Sequence, residues 1–136
     1  MSQEAPLPFE RLDFLYMPAK DVAAEVEHFT MVLGAQLVFA IEAFGARVAM
    51  LRLAAGPPDV LLADHLEGER PVLVYRVASL DDAIATLKAR GWHEQPRFGI
   101  PQGPCCEFRT PEGNRLAIYE PTRAQVAEHM AGRRDF

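Results

Sequence analysis

The stretch Thr110-Pro-Glu-Gly-Asn-Arg-Leu-Ala-Ile-Tyr-Glu-Pro121 decides the fold. Its first five residues form a turn, and Arg115 to Glu120 follow as the last strand of the chain. Ala117 is the most informative residue of this strand because of its position after this turn.

The rest of the chain is an internal repeat of one strand, one helix and three further strands. The first module spans about 11–66 and the second about 70–121. Strand composition and turn residues predict eight strands, at Leu12–Met17, Gln36–Glu42, Ala46–Leu53, Asp59–Ala63, Val72–Val77, Trp92–Phe98, Cys105–Arg109 and Arg115–Glu120. Phe44-Gly45 is predicted to be a turn, and the stretch from Phe98 to Pro104 a loop.

Two amphipathic helices occupy matching places in the modules. Asp21 and Ser79 are the predicted N-caps, and Gly34 and Gly91 end the helices. Apolar residues recur at helical spacing in both, at Val22, Val26, Phe29 and Leu33 and at Leu80, Ile84 and Leu87. A third helix is predicted over about 123–132.

The Thr110–Asn114 turn resembles the D-P-D-G-N turn of the glyoxalase, bleomycin-resistance and extradiol-dioxygenase superfamily, the vicinal oxygen chelate proteins. Lys20-Asp21-Val22 and Val32-Leu33-Gly34 match that family in order and spacing, and the resemblance covers roughly residues 11–121. It implies an α+β fold in a single domain over 1–136. Two βαβββ modules would form a half-closed, eight-stranded mixed sheet, with the helices outside and a cleft inside.

Metal-dependent members of this family carry His, Gln or Glu ligands at four sheet positions. The matching residues here are Phe14, Leu61, Val72 and Ala117. None has a lone pair that a divalent ion needs, so we expect neither a metal nor another cofactor. The four histidines show no shared face and no ligand spacing, and are expected at the surface or the rim.

Strand alternation predicts which side chains face the cleft. The candidate ligand-binding residues are Phe14, Tyr16, Met50, Arg52, Leu61, Val72, Val74, Arg76, Glu107, Ala117 and Tyr119. Two interpretations stay open: an apolar pocket with a few charged anchors, or a cleft filled by its own aromatic residues, with Arg76 paired to Glu107. For the second strand, alternation does not decide whether Phe39 and Ile41 or Val38 and Ala40 face the cleft. Adjacent Cys105 and Cys106 are expected as free thiols on opposite faces.

The function predicted on this basis is metal-independent binding of a small organic molecule, with an aromatic or cationic compound as the candidate ligand. By resemblance to the antibiotic-binding members, the protein would sequester that ligand. The alternatives are a metal-free acid–base enzyme of the superfamily, a lyase or isomerase with Glu107 as base and Tyr16 or Tyr119 as acid, and a structural dimer without a ligand. A homodimer is expected by family resemblance, with Val126 and Met130 offered for contact.

Composition excludes several other classes. The net charge of −5 argues against nucleic-acid binding, which usually needs a basic face. No segment is apolar and long enough for a membrane span, and the first twenty residues do not read as a secretory signal. A cytoplasmic location is therefore expected.

Overall fold

The computed structural model describes residues 7–43, 45–93, 97–123 and 125–136, and in them the predicted repeat is present. Each module has a strand, a helix and three strands, and a short helix follows. The elements are β1 (Arg11–Pro18), α1 (Val22–Met31), β2 (Gln36–Ala43), β3 (Ala46–Arg52), β4 (Asp59–Ala63), β5 (Val72–Arg76), α2 (Leu80–Ala89), β6 (Arg97–Ile100), β7 (Gly103–Arg109), β8 (Arg115–Tyr119) and α3 (Val126–Met130). No helix within these ranges is long and apolar enough to cross a membrane.

All eight strands belong to one mixed sheet in the order β2-β3-β4-β1-β5-β8-β7-β6. Strand β1 pairs in parallel with β4, and β5 pairs in the same way with β8. The modules meet where β1 and β5 run antiparallel side by side. The predicted α+β architecture of two βαβββ modules is therefore confirmed.

Three apolar clusters show which side of each strand faces the cleft. Fourteen buried residues of both modules form the cluster on the concave face of the sheet. On the convex face, one cluster lies under α1 and another under α2. The predicted alternation holds, since Met50 lies in the concave cluster and Leu51 in the α1 cluster. Cys105 and Cys106 are free thiols in the concave and α2 clusters.

In β2, the structure shows which residues face the cleft, a choice that alternation left open. Phe39 and Ile41 lie in the concave cluster, whereas Ala40 packs under α1. A register shift between Leu37 and Phe39 lets Val38 contact the concave cluster as well. Simple alternation cannot anticipate such a bulge.

Both long helices begin where the sequence predicts. The Asp21 carboxylate accepts a hydrogen bond from the Ala24 amide at 3.0 Å, and the Ser79 hydroxyl accepts one from the Asp82 amide at 3.2 Å. These bonds satisfy amides that the first helical turn leaves without backbone partners. The apolar stripes then place Val22 and Val26, and Leu80 and Ile84, against the sheet.

The predicted boundaries are wrong around the sixth strand. We expected it at Trp92–Phe98, but β6 is Arg97–Ile100, and residues 94–96 lie outside the described ranges. The predicted loop from Phe98 to Pro104 is largely a hairpin, with Ile100 paired to Gly103 across Pro101 and Gln102. The prolines and glycines of this stretch favour a loop by composition, but only Pro101 and Gln102 form the turn, and Gly99 and Gly103 pair within the strands. The predicted turn residue Phe44 also lies outside the described residues.

The C-terminal segment crosses from the second module to the first. Helix α3 is shorter than predicted, and Met130 packs against the concave cluster. Met130, one of the two residues offered for a dimer contact, is therefore partly buried within its own chain. Beyond α3, residues 132–135 run along the outer edge of β2, where the amides of Gly132 and Asp135 donate to the carbonyls of Val38 and Ala40.

Candidate functional site

The four positions that hold a metal in the chelating proteins form part of the cleft floor. Phe14 is 6% exposed, Leu61 0%, Val72 1% and Ala117 0%, and all four belong to the concave cluster. They present only carbon atoms to one another. No group of three His, Cys, Asp or Glu side chains that could hold a metal ion is found in the described parts of the chain.

The middle of the predicted cleft is filled by side chains. Eight of the eleven candidate ligand-binding residues are buried in the concave cluster, namely Phe14, Tyr16, Met50, Leu61, Val72, Val74, Ala117 and Tyr119. The rings of Phe14 and Tyr119 lie 5.5 Å apart, centroid to centroid. Leu61, Val72, Val74 and Ala117 line neither of the two cavities that border this floor. The floor is thus solid core, and space for a ligand lies at either end.

The larger cavity has a volume of about 980 Å³ and lies at the end where β5 and β8 begin. Of the predicted site residues, it contains Tyr16 and Glu107. Arg109 and Arg115, which strand alternation also turns towards the cleft, belong to the same wall. Sequence reasoning missed the rest of it, which consists of His65, Leu66, Glu67, Gly91, Trp92, His93, Arg97, Gly99 and Phe108. Most of these lie in loops, whose positions strand alternation cannot give.

Aromatic and imidazole rings are prominent in this wall. The Tyr16 hydroxyl lies 3.2 Å from Nε2 of His65, and the Trp92 ring meets the Phe108 ring edge to face at 6.1 Å. His65 and His93 line the same cavity, which corrects the expectation that the histidines share no face. His65 follows β4 and His93 lies between α2 and β6, so residues distant in sequence meet at one rim of the cavity.

The Glu107 carboxylate is held by arginines of its own module. Nε of Arg115 donates to Oε1 at 2.9 Å, and Nε of Arg109 lies 3.6 Å from the same oxygen. The predicted alternative of an Arg76–Glu107 pair is wrong, since Nε of Arg76 bonds to Glu10 at 3.1 Å. Strand register explains the difference. Arg76 lies opposite Tyr119, whereas Glu107 lies opposite Ala117, two residues earlier in β8.

The smaller cavity, of about 360 Å³, lies at the opposite end of the floor. Five predicted residues line it, namely Phe14, Met50, Arg52, Arg76 and Tyr119. Asp13 is a further lining residue that the sequence did not indicate. Alternation places Asp13 on the face opposite to Phe14, but a register shift between Leu12 and Phe14 turns it towards the concave side.

Asp13 is a buried carboxylate with partners on both oxygens. It accepts hydrogen bonds from the Tyr119 hydroxyl and from Nε of Arg11. Burial, with a further contribution from Asp13, raises the pKa of Tyr119. Burial likewise raises the pKa values of Tyr16 and of the Cys105 thiol. Both tyrosines are therefore weaker acids than free tyrosine.

Comparison with known proteins identifies the fold. The chain matches no protein-family model, and no curated protein is significantly similar to it. Among solved structures, the methylmalonyl-CoA epimerase of Mycobacterium tuberculosis superposes with a TM-score of 0.70 at 21% identity, covering 92% of this chain and 97% of that chain. The hypothetical protein BH1468 of Bacillus halodurans gives a TM-score of 0.68 at 15% identity, with 81% and 93% covered.

A variant of the Streptomyces coelicolor methylmalonyl-CoA epimerase, in complex with 2-nitronate-propionyl-CoA, gives a TM-score of 0.67 at 18% identity. That superposition covers 85% of this chain and 96% of the other. Together with the strand order, these likenesses establish the vicinal oxygen chelate fold. At such identities they define the fold and leave the function to the site itself.

Proposed function

We propose that this protein binds a small organic molecule without a metal, in the larger cavity. The observation that carries the proposal is the pairing of two features. Carbon side chains fill all four positions of the family's metal site, and a cavity of about 980 Å³ lies at one end of the floor that they form. Small-molecule sites typically occupy about 300–1,000 Å³ and combine apolar walls with a few polar anchors.

The lining favours an aromatic ligand over a cationic one. Trp92, Tyr16 and Phe108 provide ring surface, which suits planar guests. The Glu107 carboxylate is already paired with Arg115 and lies beside Arg109, so it offers a cation little attraction.

The acid–base enzyme has less support from the geometry. The proposed base, Glu107, accepts a hydrogen bond from one guanidinium group and lies beside a second, so its carboxylate is already engaged. The proposed acids, Tyr16 and Tyr119, both have raised pKa values. A general acid that works near neutral pH would need a lowered pKa instead.

The only tryptophan of the chain offers a direct test, because it lines the proposed site. Titration of EDTA-treated protein with a set of neutral, acidic and basic aromatic compounds should change Trp92 emission saturably for at least one compound. Arg109→Gln should alter that affinity, whereas Arg134→Gln, far from the cavity lining, should leave it unchanged. Failure of the whole set to bind, or binding that is lost with a stoichiometric metal on EDTA treatment, would overturn the proposal.

A homodimer and a cytoplasmic location remain part of this proposal. Since Met130 is occupied within the chain, we place the dimer contact at Met31, Val32 and Leu33, at the end of α1. These three consecutive apolar residues are exposed by 78%, 68% and 52%. Exposed apolar surface of this kind often marks a protein–protein contact.

A further inference from the structure

Three arginines line the smaller cavity and share one arrangement. Arg11, Arg52 and Arg76 each contact a carboxylate through Nε, those of Asp13, Asp59 and Glu10 respectively. The terminal nitrogens of all three have no hydrogen-bond partner within the described ranges. Their side chains stay 55%, 50% and 40% exposed, so these nitrogens are open to solvent.

A guanidinium group pinned at Nε keeps its two terminal amino groups in a fixed plane. That geometry matches the paired oxygens of a carboxylate or phosphate, and less side-chain entropy is lost when such a group binds. The carboxylates thus orient the arginines while leaving their best anion-binding edge unused.

Strand register brings two of the positive charges together. Arg11 and Arg76 are directly opposite each other in the antiparallel β1–β5 pair. Like charges in this position are destabilising unless something of opposite charge lies between or beside them. Here the carboxylates of Asp13 and Glu10 lie beside them and that of Asp59 beside Arg52, so an anion would be held by the unused terminal N–H groups rather than by an excess of charge.

A fourth group in the cavity also lacks a partner. Gln102 is 5% exposed, and neither its side-chain nitrogen nor its side-chain oxygen has a hydrogen-bond partner in the described structure. Leaving such a buried polar group unpaired is unfavourable, because its hydrogen bonds to water are lost without replacement. A ligand that reaches the Gln102 amide would remove part of that cost.

We propose that the smaller cavity binds the carboxylate or phosphate group of a small organic anion, through the terminal nitrogens of Arg11, Arg52 and Arg76. The Gln102 amide nitrogen is a further donor to the anion. Phe14 and Met50 form an apolar floor for the carbon part of the ligand. This site lies across the filled floor from the larger cavity and does not depend on an aromatic guest binding there.

Isothermal titration calorimetry with inorganic phosphate and with succinate tests the site. We expect saturable binding of at least one of these anions. Arg52→Gln and Arg76→Gln should each weaken it about tenfold or more, as expected when a charged hydrogen bond is lost. Binding of phosphate alone would assign a phosphate ester, and binding of succinate alone a carboxylate.

Arg134→Gln is the matched control, because it removes one positive charge outside both cavities. It should change the affinity less than about twofold, in the manner of a distant charge screened by salt. The proposal would be overturned if neither anion bound saturably, or if Arg134→Gln lowered the affinity as much as Arg52→Gln and Arg76→Gln do. Trp92 emission of Arg52→Gln and Arg76→Gln should match that of the unmodified protein. Titration of these variants with the aromatic compounds separates failure here from failure of the proposed function.

Discussion

Arg115 is the residue on which the wall of the larger cavity depends most. It is almost completely buried, and besides Glu107 it donates to the carbonyls of Glu67 and Arg70 at 2.7 and 2.9 Å. It thereby fastens the segment between β4 and β5 to the second module. Removing one partner of a buried ion pair leaves the other charge without its partner and lowers the free energy of unfolding by about 3–5 kcal/mol.

We therefore expect Arg115→Met to lower the free energy of unfolding by about 3 kcal/mol or more, measured by urea denaturation. Arg109→Met is the matched control, because Arg109 contacts the same carboxylate but is 62% exposed. An exposed ion pair is worth about 1 kcal/mol or less. Equal losses in the two variants would show that burial of Arg115 is not what matters.

The two buried tyrosines predict a loss of stability in alkali. In the unfolded chain each hydroxyl ionises near about pH 10, whereas burial raises both pKa values in the folded protein. Above that pH the folded state binds more protons than the unfolded state, so the free energy of unfolding falls as pH rises. Below it, both states are neutral at these groups and the contribution is constant.

Urea unfolding between about pH 8 and 11 should show this decline, and Tyr16→Phe should make it shallower by removing one of the groups. The near-ultraviolet absorbance of tyrosinate should rise for these residues together with unfolding rather than before it. Ionisation of Tyr16 and Tyr119 in the folded protein near about pH 10, as in free tyrosine, would contradict the expectation.

At the scale of elements, the edge of β2 is protected by the chain's own C-terminal segment. Residues 132–135 pair with β2 through backbone bonds, and the Asp135 carboxylate accepts from the Glu42 amide at 2.8 Å. Truncation after Ala131 should expose the amides and carbonyls of an edge strand, which is a common route to association. Light scattering should then show larger species, and hydrogen exchange should show lost protection at Ala40.

The control for that truncation is Asp135→Asn in the full chain. It weakens one side-chain bond while keeping the backbone pairing, so the exchange rate at Ala40 should change little. If the truncated chain has the same mass in light scattering and the same exchange rate at Ala40 as the full chain, the C-terminal segment does not protect the edge of β2.

Helices and sheet faces were predictable from the sequence because each depends on local spacing. The stripes at Val22 and Val26 and the caps at Asp21 and Ser79 need only neighbouring residues. The position of Asp13 and the hairpin at Pro101 and Gln102 were not predictable, because both depend on how one strand pairs with another. The sequence left open whether the cleft is a pocket or is filled by its own side chains, since alternation gives direction but not the volume that Phe14 and Tyr119 fill.

For the whole molecule, the proposed homodimer is tested by mass. Light scattering at high micromolar concentration should give twice the mass of the 136-residue chain. Val32→Asp should shift the mass to that of the single chain, because a buried unpaired charge is costly at an interface. Leu7→Asp, a change at another exposed apolar residue, should not. A single-chain mass for the unmodified protein would refute the dimer.

The pairing of the C-terminal segment with β2 also has a consequence for synthesis. Glu42 and Asp135 are 93 positions apart, so the ribosome completes β2 long before it makes the segment that covers it. At about 5–20 residues per second, the bare edge persists for several seconds. Contacts between residues so far apart in sequence also form late in folding. The nascent chain is therefore most vulnerable to association in that interval, when a chaperone that shields extended backbone would help it most.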